Sequence, residues 1–321
     1  MSINMVELRW NAILKEWVVV AGHRMKRPNL PSEIECPFCP KSNELKNIED
    51  WKYLNLPNKF PSLMEDPPEP DLDDDDINKV KPAFGRCEVV LYSPEHNVKL
   101  EQLPNEHVSG LFSFLGDRYK KIGENKNINY VLIFENRGRD VGVSLDHPHG
   151  QIYSFSFIPP VILKELNSSK EFFEEYNKCL FCTILKKEQD FKKRIILEND
   201  SFICFMPHYA TWPFGPHIYP KNHIQNINQM TQEERENLAK ILKEILNKIS
   251  RFFNGKHSFE MIFHQEPTDG NSYPYYHFHI EFYVINRAQD KIKYLGGCEL
   301  GSGIFINPVS PEDAAIMLKN I

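Results

Sequence analysis

The stretch Asp146-His147-Pro148-His149-Gly150-Gln151-Ile152 places two histidines and a glutamine at alternate positions. Side chains two residues apart on an extended segment point to the same face, so His147, His149 and Gln151 are expected to converge. One imidazole can be held by a metal while the other acts as a nucleophile. Gly150 is expected to leave room for a phosphate beside the backbone. An isolated His-x-His is usually a strand edge, but the residues that accompany this one argue for chemistry.

A pattern of possible metal ligands accompanies the motif and occurs twice. Each half of the chain has, in order, a Cys-x-Phe-Cys, a single His soon after a Pro, and a His-x-His. The first set is Cys36, Cys39, His96 and His147, and the second is Cys179, Cys182, His223 and His277. Two thiolates and two imidazoles form a closed tetrahedral set that suits structural zinc. The pattern therefore predicts two zinc sites per chain and an internal repeat.

The composition excludes several classes of protein. The chain has 321 residues and a formal net charge of -6, so no basic surface for nucleic acid is expected. It has no run of about twenty apolar residues and no charged start followed by an apolar block, so neither a membrane span nor a signal peptide is predicted. Seven cysteines, an odd number, do not indicate a disulfide framework. We expect a cytoplasmic protein.

The local patterns predict an α+β fold with largely antiparallel sheets. Segments rich in β-branched and aromatic residues predict strands at 17–21, 87–92, 130–134, 151–157, 201–205, 261–264 and 277–284. Thr231 and Glu234 form a capping box before apolar residues that recur at helical spacing up to Ile249. A weaker helix is predicted at 105–119.

The organisation predicted from these patterns is two domains, 1–165 and 166–321. Residues 161–177 connect the two halves. The stretch 66–76 is rich in proline and then acidic, which is typical of a solvated loop.

Several segments together resemble the galactose-1-phosphate uridylyltransferase family, within the histidine-triad superfamily, almost from end to end. The segments that carry the resemblance are 9–11, 17–20, 23–28, 58–61, 134–138, Ser144, 147–151, 212–214 and 220–223. The resemblance implies two fused histidine-triad-like halves, each a largely antiparallel sheet with helices. It also implies a homodimer whose active sites lie near the subunit interface.

The family implies a role for individual residues. His149 would attack the α-phosphorus of UDP-glucose, release glucose 1-phosphate and pass the UMP group to galactose 1-phosphate, while Gln151 would stabilise the phosphate in both steps. The remaining substrate-binding residues implied by matching motifs are Arg24, Arg27, Asn58, Asn136, Ser144, Lys293 and Glu299. The second half lacks the Gly-Gln continuation, so His277 is expected to be a zinc ligand and His279 a core residue or one that supports the site.

Three alternatives stay open. Some family members build their second metal site, with zinc or iron, from residues that match Glu165, His264, His277 and His279; the presence of Cys179 and Cys182 favours the thiolate set. The segment 301–308 also resembles the ADP-glucose phosphorylases of the same family, which pass an adenylyl group to inorganic phosphate. A zinc-stabilised nucleotide-binding protein without catalysis is the third alternative, and His149 with Gln151 argues against it.

Overall fold

A computed structural model describes residues 5–26, 36–143 and 145–321. Its strands are β1 (Val6–Asn11), β2 (Glu16–Ala21), β3 (Leu54–Pro57), β4 (Val80–Pro82), β5 (Gly85–Leu91), β6 (Tyr130–Arg137), β7 (His149–Phe155), β8 (Ile195–Glu198), β9 (Phe202–Phe205), β10 (His217–Pro220), β11 (Phe259–His264), β12 (His279–Val284), β13 (Asn286–Ala288) and β14 (Lys291–Ile292). Its α-helices are α1 (Asn105–Gly123), α2 (Pro160–Tyr176), α3 (Leu180–Phe191), α4 (Gln232–Phe252), α5 (Gly297–Ser302) and α6 (Pro311–Lys319).

A nine-stranded antiparallel sheet, in the order β3-β5-β7-β6-β11-β12-β10-β9-β8, forms the centre of the molecule. The two halves meet where β6 pairs with β11, in a register that sets Phe134 opposite Ile262. The first half supplies β3, β5, β6 and β7 and the second supplies β8 to β12, so both His-x-His segments adjoin or enter one continuous sheet. Two small sheets, β2-β1-β4 and β13-β14, flank it.

Helices α1 and α4 pack against one another and enclose the largest apolar core. Thr231 caps α4: its hydroxyl accepts a hydrogen bond from the Glu234 backbone N–H, and the Glu234 carboxylate accepts one from the Thr231 N–H. Leu238, Leu242 and Leu246 on the buried face of α4 are fully enclosed. This core fixes one face of the sheet.

The predicted α+β class with antiparallel sheets is confirmed, as are the capping box and the helix that follows it. The weaker predicted helix is α1 and continues to Gly123. The connection at 161–177 is largely the helix α2, and the proposed domain boundary at 165/166 falls inside it. Residues 66–76 contain no helix or strand and are mostly exposed. Within the described ranges, none of the helices combines the length and apolarity needed to cross a membrane.

Candidate active site and metal centres

The first Cys₂His₂ set converges at the entrance to β7. The ligand atoms of Cys36, Cys39, His96 and His147 all lie within 4.8 Å of one another. Cys39 Sγ is 3.3 Å from His96 Nδ1 and 3.9 Å from His147 Nδ1. Burial raises the pKa of the Cys36 thiol to about 11, and a bound cation would favour the thiolate there. Two soft sulfurs and two imidazoles at this spacing fit zinc.

The His147 ring is oriented by the backbone. Its Nε2–H donates to the Ser93 carbonyl at 2.8 Å, which leaves the Nδ1 lone pair facing the cysteines. Hydrogen bonds of this kind commonly fix the tautomer and direction of a metal-binding imidazole. Burial lowers the pKa of His147 to about 4, which keeps the ring neutral and able to bind a metal.

The neighbouring ring of His149 has the opposite tautomer. Its Nδ1 lies 2.7 Å from the His147 carbonyl oxygen, which can only accept, so Nδ1 carries the proton and the lone pair is on Nε2. The ring packs edge-on against Phe38, at 5.4 Å between centroids. Phe38 lies between Cys36 and Cys39, so the Cys-x-Phe-Cys segment supports both histidines.

One face of β7 carries polar groups in line with His149. Gln151 and Tyr153 alternate with buried residues along this strand, and Gln151 lies opposite Phe134 of β6. Continuing that register by two residues brings Asn136 alongside His149. This register therefore places His149, Gln151 and Asn136 near one another on the sheet.

Arg24 and Asn58 both hydrogen-bond to the backbone of Phe60. Arg24 Nη1 donates to the Phe60 carbonyl at 2.7 Å, and Asn58 Oδ1 accepts from the Phe60 backbone N–H at 2.9 Å. Arg24 is also close enough to Tyr153 to affect the pKa of that phenol, which burial raises. Tyr153 is four residues from His149, about 13 Å along a strand. The predicted phosphate-binding residues Arg27 and Ser144 lie outside the described residues.

Lys293 and Glu299 contact each other. Lys293 Nζ is 2.7 Å from Glu299 Oε1 and 5.8 Å from the ring centroid of Trp212, in the second half. This ion pair lowers the pKa of Glu299 to about 2. The matching positions inferred from the family are thus a joined pair in the structure.

The second Cys₂His₂ set repeats the geometry of the first. Its four ligand atoms also lie within 4.8 Å of one another, with Cys182 Sγ 3.3 Å from His223 Nδ1 and 3.4 Å from His277 Nδ1. His277 Nε2–H donates to the Pro220 carbonyl at 3.1 Å. Pro220 precedes His223 by three residues, as Ser93 precedes His96. A hydrogen bond from Cys182 lowers the pKa of the Cys179 thiol, which favours the thiolate form that a metal would bind.

A third cluster lies in the second half and joins Glu165, His264, His279 and Glu281. His264 Nδ1 is 2.9 Å from Glu165 Oε1, and His279 Nε2 is 3.4 Å from Glu281 Oε1. His217 adds an imidazole nitrogen 3.4 Å from the same oxygen of Glu281. Burial opposes the charge on His264 most strongly, yet Glu165 and Glu281 together raise its pKa to about 9. A buried pair of carboxylates requires such a positive charge, from a proton or from a metal.

The third cluster occupies the position that corresponds to the His149 site in the other half. In the register of the sheet, Glu281 lies opposite Ile262 and His279 opposite His264, as Gln151 lies opposite Phe134. His279 Nδ1–H donates to the His277 carbonyl at 3.0 Å, and Phe181 packs on it at 5.1 Å. These are the contacts that His149 makes with His147 and Phe38. The second half therefore carries carboxylates and imidazoles where the first carries the candidate nucleophile and its amides.

Three sequence-based expectations need correction here. The thiolate set and the Glu165 set are not alternatives for one site, because they are separate clusters. His277 does not belong to the Glu165 set, because it lies with the cysteines; Glu281 takes its place. His279 is a member of the cluster and not merely a core residue. The alternation His277-x-His279-x-Glu281 was a usable signal for this, whereas nothing in the sequence indicated His217.

The side-chain space at Gly150 is filled by a neighbouring residue. A Cβ at this position would lie 2.2 Å from the Tyr92 hydroxyl oxygen, on the face of β7 opposite His149. The missing side chain makes room for a buried tyrosine, and not for a phosphate as expected.

Comparison with known proteins gives one consistent family. Residues 1–159 match the family model for the galactose-1-phosphate uridyl transferase N-terminal domain, and residues 165–320 match the model for its C-terminal domain. A galactose-1-phosphate uridylyltransferase from Thermotoga maritima is 37% identical over 316 residues, which cover 98% of each chain. A solved uridylyltransferase structure, 35% identical, superposes with a TM-score of 0.88 over 98% of this chain and 97% of that one. An Arabidopsis thaliana ADP-glucose phosphorylase with bound ADP-glucose, 26% identical, gives 0.75 over 98% and 99%.

Proposed function

This chain belongs to the galactose-1-phosphate uridylyltransferase family, and we propose that it carries UMP from UDP-glucose to galactose 1-phosphate on His149. The exchange of UMP between UDP-glucose and galactose 1-phosphate, and the class UDP-glucose–hexose-1-phosphate uridylyltransferase, follow from this membership. The observation that carries the choice of His149 is its fixed tautomer: Nδ1 donates to the His147 carbonyl, so the lone pair is on Nε2.

The reaction would proceed in two displacements. The Nε2 lone pair attacks the α-phosphorus of UDP-glucose; a P–N bond forms, the P–O bond to the leaving group breaks, and glucose 1-phosphate departs. A phosphate oxygen of galactose 1-phosphate then attacks the same phosphorus, the P–N bond breaks, and UDP-galactose leaves. A neutral imidazole is a competent nucleophile near pH 7.

The polar groups around His149 have roles that follow from their chemistry. Gln151 lies on the same face and can donate its amide N–H to a phosphate oxygen as charge builds there. Asn136, on the neighbouring strand, can donate to another. Arg24, which bonds to the same Phe60 backbone as Asn58, lies near Tyr153, where its charge suits the distal part of the nucleotide. Arg27 and Ser144 are proposed contacts from the family motif alone.

The first two metal centres are proposed to hold zinc, because their donor sets are two thiolates and two imidazoles. When bound, zinc supplies a rigid cross-link and no chemistry on the substrate. In the first centre, that cross-link would fix His147, whose carbonyl orients His149, and Phe38, which packs on the His149 ring. Both contacts support a positioning role for the first zinc.

The third cluster is proposed to hold a separate ion. Carboxylate and imidazole donors suit iron, manganese or zinc, and Tyr276 and Tyr283 each donate a 2.7 Å hydrogen bond to its carboxylates.

We expect three ions per chain in protein purified without chelators. Glu165→Ala should remove one ion and Cys179→Ser a different one, measured by elemental analysis of each variant. A single loss common to both variants would mean that the two clusters do not bind metal independently.

A cytoplasmic homodimer is proposed as the working form of the enzyme. The segment that contains Lys293 and Glu299 exposes large apolar side chains: Tyr294 is 79% exposed, Leu300 73% and Ile304 64%. Covering them with a second copy would remove a substantial apolar surface from water.

Sedimentation should give twice the chain mass. The double variant Leu300→Asp, Ile304→Asp should give the single-chain mass and a higher KM for galactose 1-phosphate.

The decisive experiment for the function separates the donor from the acceptor. The protein is mixed with UDP-glucose or ADP-glucose alone, and intact mass is measured. We expect a gain of one UMP with UDP-glucose, discharged by galactose 1-phosphate. A gain of AMP discharged by inorganic phosphate would make the chain an ADP-glucose phosphorylase, the function of a more distant relative. No gain with either donor would indicate a nucleotide-binding protein without transferase activity.

A further inference from the structure

Tyr92, which directly follows β5, is joined to the His-Pro-His turn by backbone hydrogen bonds. Its N–H donates to the Pro148 carbonyl at 3.2 Å, and the next carbonyl, that of Ser93, accepts from His147 Nε2 at 2.8 Å. The Tyr92 carbonyl accepts in turn from His107 Nε2, at 2.7 Å, on α1. The segment 92–93 thus connects the His-Pro-His turn to the helical core.

The Tyr92 side chain passes beneath Gly150. An added Cβ at Gly150 would lie 2.2 Å from the Tyr92 hydroxyl oxygen and 3.0 Å from its Cζ, with the Phe134 carbonyl oxygen also at 3.0 Å. Separations below 3 Å cannot be accommodated without displacing one of the groups. Tyr92 is only 3% exposed and is packed in the main core, so the ring cannot easily move away.

The hydroxyl of Tyr92 also faces Glu135 of β6, which belongs to a buried network of charged side chains. Burial and the carboxylate of Glu135 both raise the pKa of Tyr92, so the hydroxyl keeps its proton beside that carboxylate. Glu135 is held by Arg137, whose Nε lies 2.7 Å from its Oε1, and Arg137 is held by Glu101 at 2.7 Å. The hydroxyl therefore lies next to Gly150 of β7 and Glu135 of β6, and these two strands carry the proposed phosphate contacts.

We propose that Tyr92 is a positioning residue for uridylyl transfer: its ring and hydroxyl set the height of the Gly150 backbone, and thereby the placement of His149 and Gln151 on either side. The inference rests on the proposed role of His149. The pairing is steric and specific, because a side chain at position 150 and the hydroxyl of Tyr92 would occupy the same volume. A displacement of about 1 Å at a reacting group can cost on the order of 100-fold in rate.

The test compares Tyr92→Phe, Gly150→Ala and the double variant. The measurements are the single-turnover rate of uridylyl-enzyme formation from UDP-glucose, its KM, and the melting temperature. Gly150→Ala should slow the chemical step about 100-fold, and Tyr92→Phe about 3- to 10-fold, with little change in KM. The double variant should be at least about 10-fold faster than Gly150→Ala, because loss of the hydroxyl makes room for the added methyl group.

Two substitutions that do not involve Tyr92 or Gly150 serve as matched controls. Tyr119→Phe removes a buried hydroxyl that donates to the Glu266 carbonyl at 2.9 Å, and Gly123→Ala places a Cβ 2.7 Å from the Thr268 side chain. Both should lower the melting temperature but leave the single-turnover rate unchanged. If Gly150→Ala alone does not fold, recovery of folded protein in the double variant tests the same contact.

The proposal is overturned if the double variant is no faster than Gly150→Ala, or if Tyr119→Phe slows the chemistry as much as Tyr92→Phe. Those results, with a wild-type protein that still forms the adduct, would leave the proposed function standing. A wild-type protein without any adduct would overturn the function and the role of Tyr92 together.

Discussion

His149→Ala is expected to eliminate both uridylyl-enzyme formation and overall transfer, with a loss on the order of 10⁴-fold or more. The reason is that the covalent intermediate has no other attachment point: the proposed nucleophile is Nε2 of this ring, and the tautomer is set by the His147 carbonyl. The ring is half-buried and contributes little to the core. The variant should therefore melt close to the wild type and keep its metal content. Intact-mass analysis with UDP-glucose and a coupled turnover assay measure the two losses.

The matched control for this prediction is the corresponding ring of the second half. His279 makes the same hydrogen bond to the residue two positions before it and packs on the corresponding phenylalanine. His279→Ala should lower the metal content and the melting temperature, yet the folded fraction should still form the adduct. Wild-type turnover by His149→Ala, or complete loss of the adduct in folded His279→Ala, would place the nucleophile elsewhere.

Cys36→Ser is expected to have the second largest effect, because it would dissociate the first zinc and disturb the catalytic motif at the same time. The proposed ion would cross-link residues 36–39, His96 and His147, which are far apart in sequence, so its loss should cost about 3–5 kcal/mol of stability and lower the melting temperature by roughly 10 °C. Per folded molecule, the rate should also fall, since His147 and Phe38 both contact His149. Elemental analysis, thermal denaturation and single-turnover kinetics check the three expectations.

Cys179→Ser in the second half separates stability from chemistry. It should lose one ion and a similar amount of stability, but a folded molecule should still form the uridylyl adduct. The second half carries Glu281 at the position of the sheet where the first half carries Gln151. Equal kinetic losses in Cys36→Ser and Cys179→Ser would contradict this division of tasks. Activity and stability without any bound metal would contradict the zinc assignment as a whole.

The sequence by itself determined the features that depend on local order. Alternation along a strand placed His149 and Gln151 on one face, and helical periodicity after the Thr231 capping box predicted α4. The two Cys₂His₂ sets were predictable because their chemistry is restricted to few residue types and the same order appears twice. Both sets converge in the structure.

Tertiary structure alone decided what depends on contacts between distant segments. Pairing of β6 with β11 makes one sheet of two halves. The registers of β11 with β12 and of β6 with β7 add what the repeat in the sequence did not give, namely that His264 of the second half corresponds to Asn136 of the first. The contribution of His217 to the third cluster could not be read from a lone histidine, because a ligand is defined by neighbours that the chain brings together only on folding. The same holds for Gly150. Its local motif indicated space for a phosphate, but the direction of its absent side chain, towards Tyr92 just after β5, is a property of the packed sheet and not of the sequence around it.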